Sequence, residues 1–324
     1  MKVVNLLDGL LDNYLWVLDI GSEYLNALLF NKEMEIIHRI SAPSSGIKNG
    51  IITDLQSLSN SIAQLIYPVE VDTGISIKQV AISMDFSDFN IETFSISKQV
   101  DGFVTQEIIE KMKKHKKEFN FIEIDESFVL DSVNSVKNPL GMWCNGITYE
   151  AKHIYLNQFN VTNIHIIFKK FNIKIININF GIIAATNMIF EKNFILVDIG
   201  FDSTRVLKKI DEKTHLKVFY TGMNQLQNIL HKGIKHSKDD SVVLSILNPK
   251  QSSTIKDYFY FLFKNFLQET QLPLFLIGGA NNITLLPEFL REKFDLPVYL
   301  VEISNDDNFF ISNLGIANGL LKKN

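Results

Sequence analysis

Apolar residues along this chain come in short runs that end at a carboxylate or a glycine. Residues 15–27 read LWVLDIGSEYLNA and residues 194–206 read FILVDIGFDSTRV. Each is an unbroken apolar run, then Asp-Ile-Gly, then small hydroxyl residues and further apolar positions. Such runs predict strands buried on both faces, and the glycine predicts a tight turn into a second strand. Other strand-like runs lie at 79–83 (QVAIS), 163–168 (NIHIIF), 173–178 (IKIINI) and 274–277 (LFLI). Helical patterns lie at 54–67, 105–118, 181–191, 256–270 and 284–294. Strands alternating with helices predict an α/β fold with mixed sheets. The two Asp-Ile-Gly stretches stand about half a chain apart, which predicts duplicated halves. The segment 236–253 is polar and broken by Pro249, so it reads as a surface loop or short helices.

The two turns suggest a chemistry. Each places a carboxylate at a strand end beside a glycine, whose missing Cβ lets backbone N–H groups approach a ligand. Asp19, Gly21 and Ser22 form one set; Asp198, Gly200, Ser203 and Thr204 form the other. Facing each other, they would hold a phosphate chain, with Asp19 and Asp198 binding a hydrated Mg²⁺ through water. A third piece, LFLIGGANNITLLPEFLREKFDLPV at 274–298, is a strand ending in Gly278, Gly279 and Ala280 before a helix starting near Thr284. That turn would let a base and ribose lie against the backbone. The ligand such turns would take is a nucleotide with Mg²⁺.

The order Asp-Ile-Gly, Asp-Ile-Gly, Gly-Gly resembles the actin, Hsp70 and sugar-kinase superfamily. Two of its helix motifs are present at Gly181–Ala185 and Asn313–Ala317, where small residues let helices cross closely. Within that superfamily the chain resembles the bacterial cell-division protein FtsA. The residues that carry this are SAPSSGIKNGIITDLQSL at 41–58, with Ser45, Gly46 and Gly50, VTQEIIEKM at 104–112, and VKNPLGMWCNGITYEAKHI at 136–154. In the last, Asn138–Pro139–Leu140–Gly141 followed by Glu150–Ala151–Lys152 is the most specific match, and it fits FtsA better than the related pilus protein PilM.

The resemblance implies an actin-like ATPase fold, with two RNase H-like domains around a nucleotide cleft, an inserted FtsA-type subdomain (1C) and a reduced 2B subdomain. The boundaries expected are 1–80 for the first domain, 81–160 for the insert, 161–190 for the return to the first domain and 191–324 for the second. It also implies a scaffold that joins FtsZ polymers to other division proteins, self-associates through 1C, and works in the cytoplasm at the inner face of the membrane at the division site. The alternatives are an active ATPase that controls its own polymerisation and a PilM-like adaptor.

The sequence departs from the family at several places. The family's second turn is glycine-rich; here Phe201 and Asp202 replace two glycines, and Arg205 replaces an acid. A Cβ at either glycine position would crowd the phosphates, and Asp202 would bring negative charge towards them. Hydrolysis is therefore expected to be lost before binding. Tyr24 stands where the family usually has a Lys or similar. Residues 207–272 leave little room for 2B, so the FtsZ-binding surface is expected to be reduced. Nothing after Gly319 reads as the family's amphipathic membrane helix, so membrane contact is expected only through a partner.

Composition narrows the alternatives. The 324 residues are 46% hydrophobic and 21% charged, with a formal net charge of −4, which argues against non-specific nucleic-acid binding. The single cysteine, Cys144, excludes an intramolecular disulfide and reads as an inert residue in a loop. The start carries Asp8 and Asp12 within its apolar stretch and is a poor signal peptide. No apolar run reaches the ~18 residues of a spanning helix. KMKKHKKE at 111–118 reads as a solvated helix face, DYFYFLFKNFLQE at 257–269 as a core helix, and the seven histidines have no metal-ligand spacing.

Overall fold

The computed structural model describes residues 13–114, 121–211, 213–230, 249–267, 270–279, 283, 286–301 and 310–322. Its strands are β1 (Tyr14–Ile20), β2 (Tyr24–Asn31), β3 (Ile36–Pro43), β4 (Ile47–Lys48), β5 (Ile51–Ile52), β6 (Gln79–Met84), β7 (Phe89–Phe103), β8 (Phe121–Leu130), β9 (Asn134–Val136), β10 (Trp143–Leu156), β11 (Lys174–Asn179), β12 (Phe194–Ile199), β13 (Thr204–Ile210), β14 (Lys213–Phe219), β15 (Leu274–Gly278) and β16 (Val298–Leu300). Its helices are α1 (Leu55–Thr73), α2 (Gln106–Lys113), α3 (Gln158–Lys170), α4 (Gly181–Ala185), α5 (Met223–Leu230), α6 (Pro249–Leu267), α7 (Leu286–Phe294) and α8 (Ile311–Lys322). The chain divides into two compact units, residues 88–164 and the remainder on either side of them.

The larger unit carries the repeat as architecture. Its two five-stranded sheets are ordered β11-β6-β1-β2-β3 and β14-β13-β12-β15-β16. In each, an Asp-Ile-Gly strand heads an antiparallel meander and pairs on its other side with a parallel strand: β1 with β6, and β12 with β15. Central strands flanked on both sides need apolar residues on both faces. Accordingly Leu15, Trp16, Val17 and Leu18 are all buried in β1, and Ile195, Leu196 and Val197 in β12. One core packs Leu15, Val17, Leu28 and Phe30 against Ala184 of α4 and Ile316 of α8. The other packs Ile195, Val197 and Leu276 against Phe259 and Phe263 of α6 and Leu290 of α7. The described part of the aromatic stretch, residues 257–267, therefore contributes to a core, as its spacing suggests.

Small residues set the crossing of α4 and α8. A Cβ on Gly315 would lie 2.1 Å from the carbonyl oxygen of Ala184, so a larger residue cannot sit there without parting the helices. From the same helix, the buried Asn313 donates its side-chain amide to the carbonyls of Val17 (2.9 Å) and Asn26 (3.0 Å). Helix α1 begins at Asp54, whose carboxylate accepts from the backbone N–H groups of Gln56 and Ser57, and ends at Gly74 with φ 68°.

The smaller unit is a four-stranded antiparallel sheet, β7-β10-β8-β9, with β10 flanked by β7 and β8. Its core gathers Val104, Ile109, Met112, Phe128, Ile147 and Tyr149. Thr105 caps α2 through its hydroxyl. Cys144 is fully buried on β10 rather than in a loop, and burial pushes its thiol above the ordinary range.

Several elements differ from the sequence reading. The helix expected over 181–191 ends at Ala185 and gives way to a 3-10 turn at Thr186–Met188, and Pro249 opens α6 instead of breaking a loop. Residues 163–168 are not a strand but part of α3, because Val161, Ile164, Ile167 and Phe168 are buried at helical spacing while Ile166 is exposed. Helix α1 runs through Pro68 to Thr73, held by Val69 and its buried neighbours Leu65 and Ile66. The start at 1–12, residues 115–118 of the charged run, most of 236–253, Ala280 and Thr284 lie outside the described residues. Among the described residues no helix is long and apolar enough to cross a membrane.

Replacing Gly315 with Val should destabilise the chain by about 1–3 kcal/mol through overpacking against Ala184, read as a lower urea midpoint at unchanged slope.

Candidate functional site

The parallel pairings bring acids to one end of the larger unit. Asp19 pairs with Ser83 on β6, and Asp85 follows two residues later. Asp198 pairs with Ile277 on β15 and, across its own hairpin, with Arg205. Arg205 is buried and makes four contacts. Its Nη1 lies 3.1 Å from Asp85 Oδ2 and 3.5 Å from Asp198 Oδ2. Its Nη2 donates to Ser203 Oγ at 2.9 Å and to the Asp85 carbonyl at 3.3 Å. Nε of Arg205 and Oδ1 of Asp85 have no hydrogen-bond partner.

The residues singled out from the sequence surround this cluster, with different commitments. Gly21 closes the first turn by donating to the Tyr24 carbonyl at 3.1 Å, and Ser22 sits partly exposed beside it. Gly200 donates to the Ser203 carbonyl at 2.9 Å and accepts from Met223 at the start of α5 at 3.0 Å. Ser203 is taken up by Arg205. Thr204 is fully buried and gives its hydroxyl to the carbonyl of Thr221 at 2.8 Å. Gly278 has φ +69° and abuts Asp198, whose Oδ1 would lie 2.4 Å from any Cβ there. Gly279 packs against Met223.

The residues at the two replaced-glycine places have partners within the chain. Phe201 packs against the core of the second sheet. Asp202 points across to the first half, where its Oδ2 accepts from the backbone N–H of Asn49 at 2.9 Å. Neither has positive φ, so the turn does not demand glycine at these places. Asp85 escaped sequence reasoning; the available signal was an acid just past the apolar strand 79–83, at the end where Asp19 also lies.

Burial and crowding of acids set the titration. Burial, then the negative charge of Asp85, raise Asp19 from 3.8 to about 7, although the Ser83 hydroxyl and Arg205 pull it down. Burial and Asp85 likewise raise Asp198 to about 7, against the pull of Arg205. A hydrated Mg²⁺ shared by Asp19 and Asp198 does not fit this donor set, because the guanidinium already occupies the contacts of Asp85 and Asp198. Among the described residues no group of three or more His, Cys, Asp or Glu side chains is arranged to hold a metal ion.

Solved structures of the same architecture cover nearly the whole chain. The PilM–PilN type IV pilus biogenesis complex matches with TM-score 0.64 and 11% identity over 94% of this chain and 98% of that one. Ethanolamine utilization protein EutJ from Carboxydothermus hydrogenoformans matches with TM-score 0.56 and 13% identity over 95% and 90%. MreB5 of Spiroplasma citri bound to AMPPNP matches with TM-score 0.51 and 11% identity over 97% and 98%. No family model matches the chain. Cell division protein FtsA of Neisseria meningitidis serogroup B is 22% identical over 347 aligned positions, 88% of this chain and 83% of that protein. FtsA of Streptococcus pneumoniae serotype 2 is 27% identical over 165 residues, 45% of this chain and 36% of that protein.

The fold is that of the actin-like ATPases, and the sequence is similar to FtsA. In this FtsA-like chain the cleft end carries an arginine among three aspartates.

Asp19 and Asp198 keep their protons in the folded state to about 7, whereas unfolded aspartates release them near 3.8. The folded chain therefore binds more protons within that window, and stability falls as pH rises through it. The midpoint of thermal unfolding should drop between about pH 4 and pH 7, and Asp19→Asn should flatten that slope.

Proposed function

We propose that the chain is an FtsA-like cell-division scaffold that works through protein contacts and not through ATP hydrolysis. The observation that carries the second half of this reading is Arg205 among Asp19, Asp85 and Asp198. Hydrolysis on an actin-like fold calls for a metal ion and a positioned water at such acids, and here Arg205 holds two of them, Asp85 and Asp198. FtsA similarity over 88% of the chain supplies the first half. The partners proposed are FtsZ polymers and other division proteins, met in the cytoplasm at the inner face of the membrane at the division site.

The compact unit at residues 88–164 is proposed to be the inserted subdomain 1C, with first-domain residues on either side of it and the second domain from about 191 onward. Phe103, Leu140, Met142 and Trp143 of that unit are exposed, and Trp143 pairs with Phe103 where β10 meets β7. These residues support a role for the unit in self-association. Nucleotide, where bound, would lie on Gly21, Ser22, Gly200, Gly278, Gly279 and Ala280, with Asp19 and Asp198 at its phosphate end. Ser203 and Thr204 already have partners within the chain and would contribute little.

Two measurements test the proposal. An immobilised FtsZ tail peptide should retain the chain, whereas the tail peptide of a PilN-type protein should not. ATP turnover should stay at the level of a blank with or without Mg²⁺. Retention on the pilus peptide alone would make the chain a PilM-like adaptor, and Mg²⁺-dependent turnover would make it an ATPase.

A further inference from the structure

The acidic end of the cleft is a site in which the chain supplies its own counter-ion. We propose that Arg205 is a resident cation that takes the place of a divalent metal and, with Asp202 and Tyr220, ties the two sheets of the larger unit together.

The first part follows from register. Arg205 stands directly across the β12–β13 hairpin from Asp198, so the two side chains share one face. The matching place in the first hairpin, opposite Asp19, is Asn26, which is neutral. The repeat thus carries a cation on one side only, between the two acids of one half and the acid of the other. A guanidinium is weakly hydrated, stays charged in any accessible pH range and presents a fork of donors, so it suits a buried acidic pocket better than an ammonium would. Here the fork reaches the Asp85 carboxylate, the Asp85 carbonyl, the Asp198 carboxylate and the Ser203 hydroxyl. It is fixed to a strand whose neighbours Thr204 and Val206 are fully buried. A metal ion from solution must compete with a ligand that cannot diffuse away, and the same fixed charge opposes its entry.

The second part follows from where the bonds run. Asp85, Asn49 and Ser87 belong to the half built on β1 and β6; Asp202, Arg205 and Tyr220 belong to the half built on β12 and β13. Arg205 meets Asp85, Asp202 accepts from Asn49 at 2.9 Å, and the Tyr220 hydroxyl donates to the Ser87 carbonyl at 3.0 Å. All three ties start within residues 202–220, on or beside the turn that departs most from the glycine-rich pattern. The replacements therefore do more than alter a glycine-rich turn, because each polar one makes a bond across the cleft.

This inference rests on the cleft geometry alone, and capture by FtsZ peptide does not enter its test. Mn²⁺ serves as the probe, read by the loss of its free electron paramagnetic resonance signal. The native chain should take up no stoichiometric Mn²⁺. Arg205→Gln should gain one site per chain, and Arg205→Gln combined with Asp85→Asn should lose it again. Hydrogen exchange of the ligand-free native chain reads the ties. The Asn49 amide should be protected and should exchange at least tenfold faster in Asp202→Ala, with the amides of β1 and β12 unchanged. Stoichiometric Mn²⁺ uptake by the native chain that Asp85→Asn abolishes would overturn the resident cation, and this reading stands even where Arg205→Gln fails to fold. An Asn49 amide that exchanges equally fast in the native chain and in Asp202→Ala would overturn the ties.

Discussion

The ion pairs of Arg205 with Asp85 and Asp198 are the interaction on which the centre of this molecule depends. Bringing three carboxylates together from the strand ends of two sheets, β1 and β6 of one and β12 of the other, is unfavourable unless something opposes their charge. Related folds could use a soluble ion for that purpose, but this chain uses a guanidinium carried on the adjacent strand. Desolvating such a cluster offsets much of its Coulombic attraction, so its net contribution to stability is small. Its effect on specificity is larger. With Arg205 in place, the raised titration of Asp19 and Asp198 and the turning of Asp202 towards Asn49 belong to one arrangement, in which the guanidinium already has partners in both halves.

Much of this was legible in the sequence because it depended on periodicity and on turns. The two Asp-Ile-Gly runs announced buried central strands, and the duplicated topology followed from them. The Gly-Gly turn and the small residues at Gly315 and Ala184 were legible for the same reason, since only a short list of side chains permits close backbone approach. The cluster itself was not legible. Asp85 carries no local pattern, and its relation to Arg205 exists only once β6 lies beside β1 and the two sheets meet. That Phe201 has a core to enter is something no local reading of the turn could reveal. Residues 163–168 misled because four of six are β-branched or aromatic; their helical spacing emerges only when Val161 is included in the count.

Similarity to FtsA and the actin-like architecture agree on the frame of the molecule and leave its chemistry to the residues of the second turn. An acid at that turn and an arginine at that turn lead to different proteins on one scaffold. The first leaves a pocket that needs a cation to close it; the second comes with the cation built in.

The amide of Asn313 bears on how the chain is made. It bonds Val17 and Asn26, residues separated from it by 296 and 287 positions. During synthesis β1 and β2 leave the ribosome early, but the side chain that satisfies their carbonyls, and the helix that covers Leu15 and Val17, emerge only after both sheets and the smaller unit have been translated. The first sheet must wait, incompletely covered, while the rest of the polypeptide is made. Contacts of such separation slow folding and lengthen exposure of apolar strands. The unit at 88–164, closed within its own sequence, is free to fold during that wait.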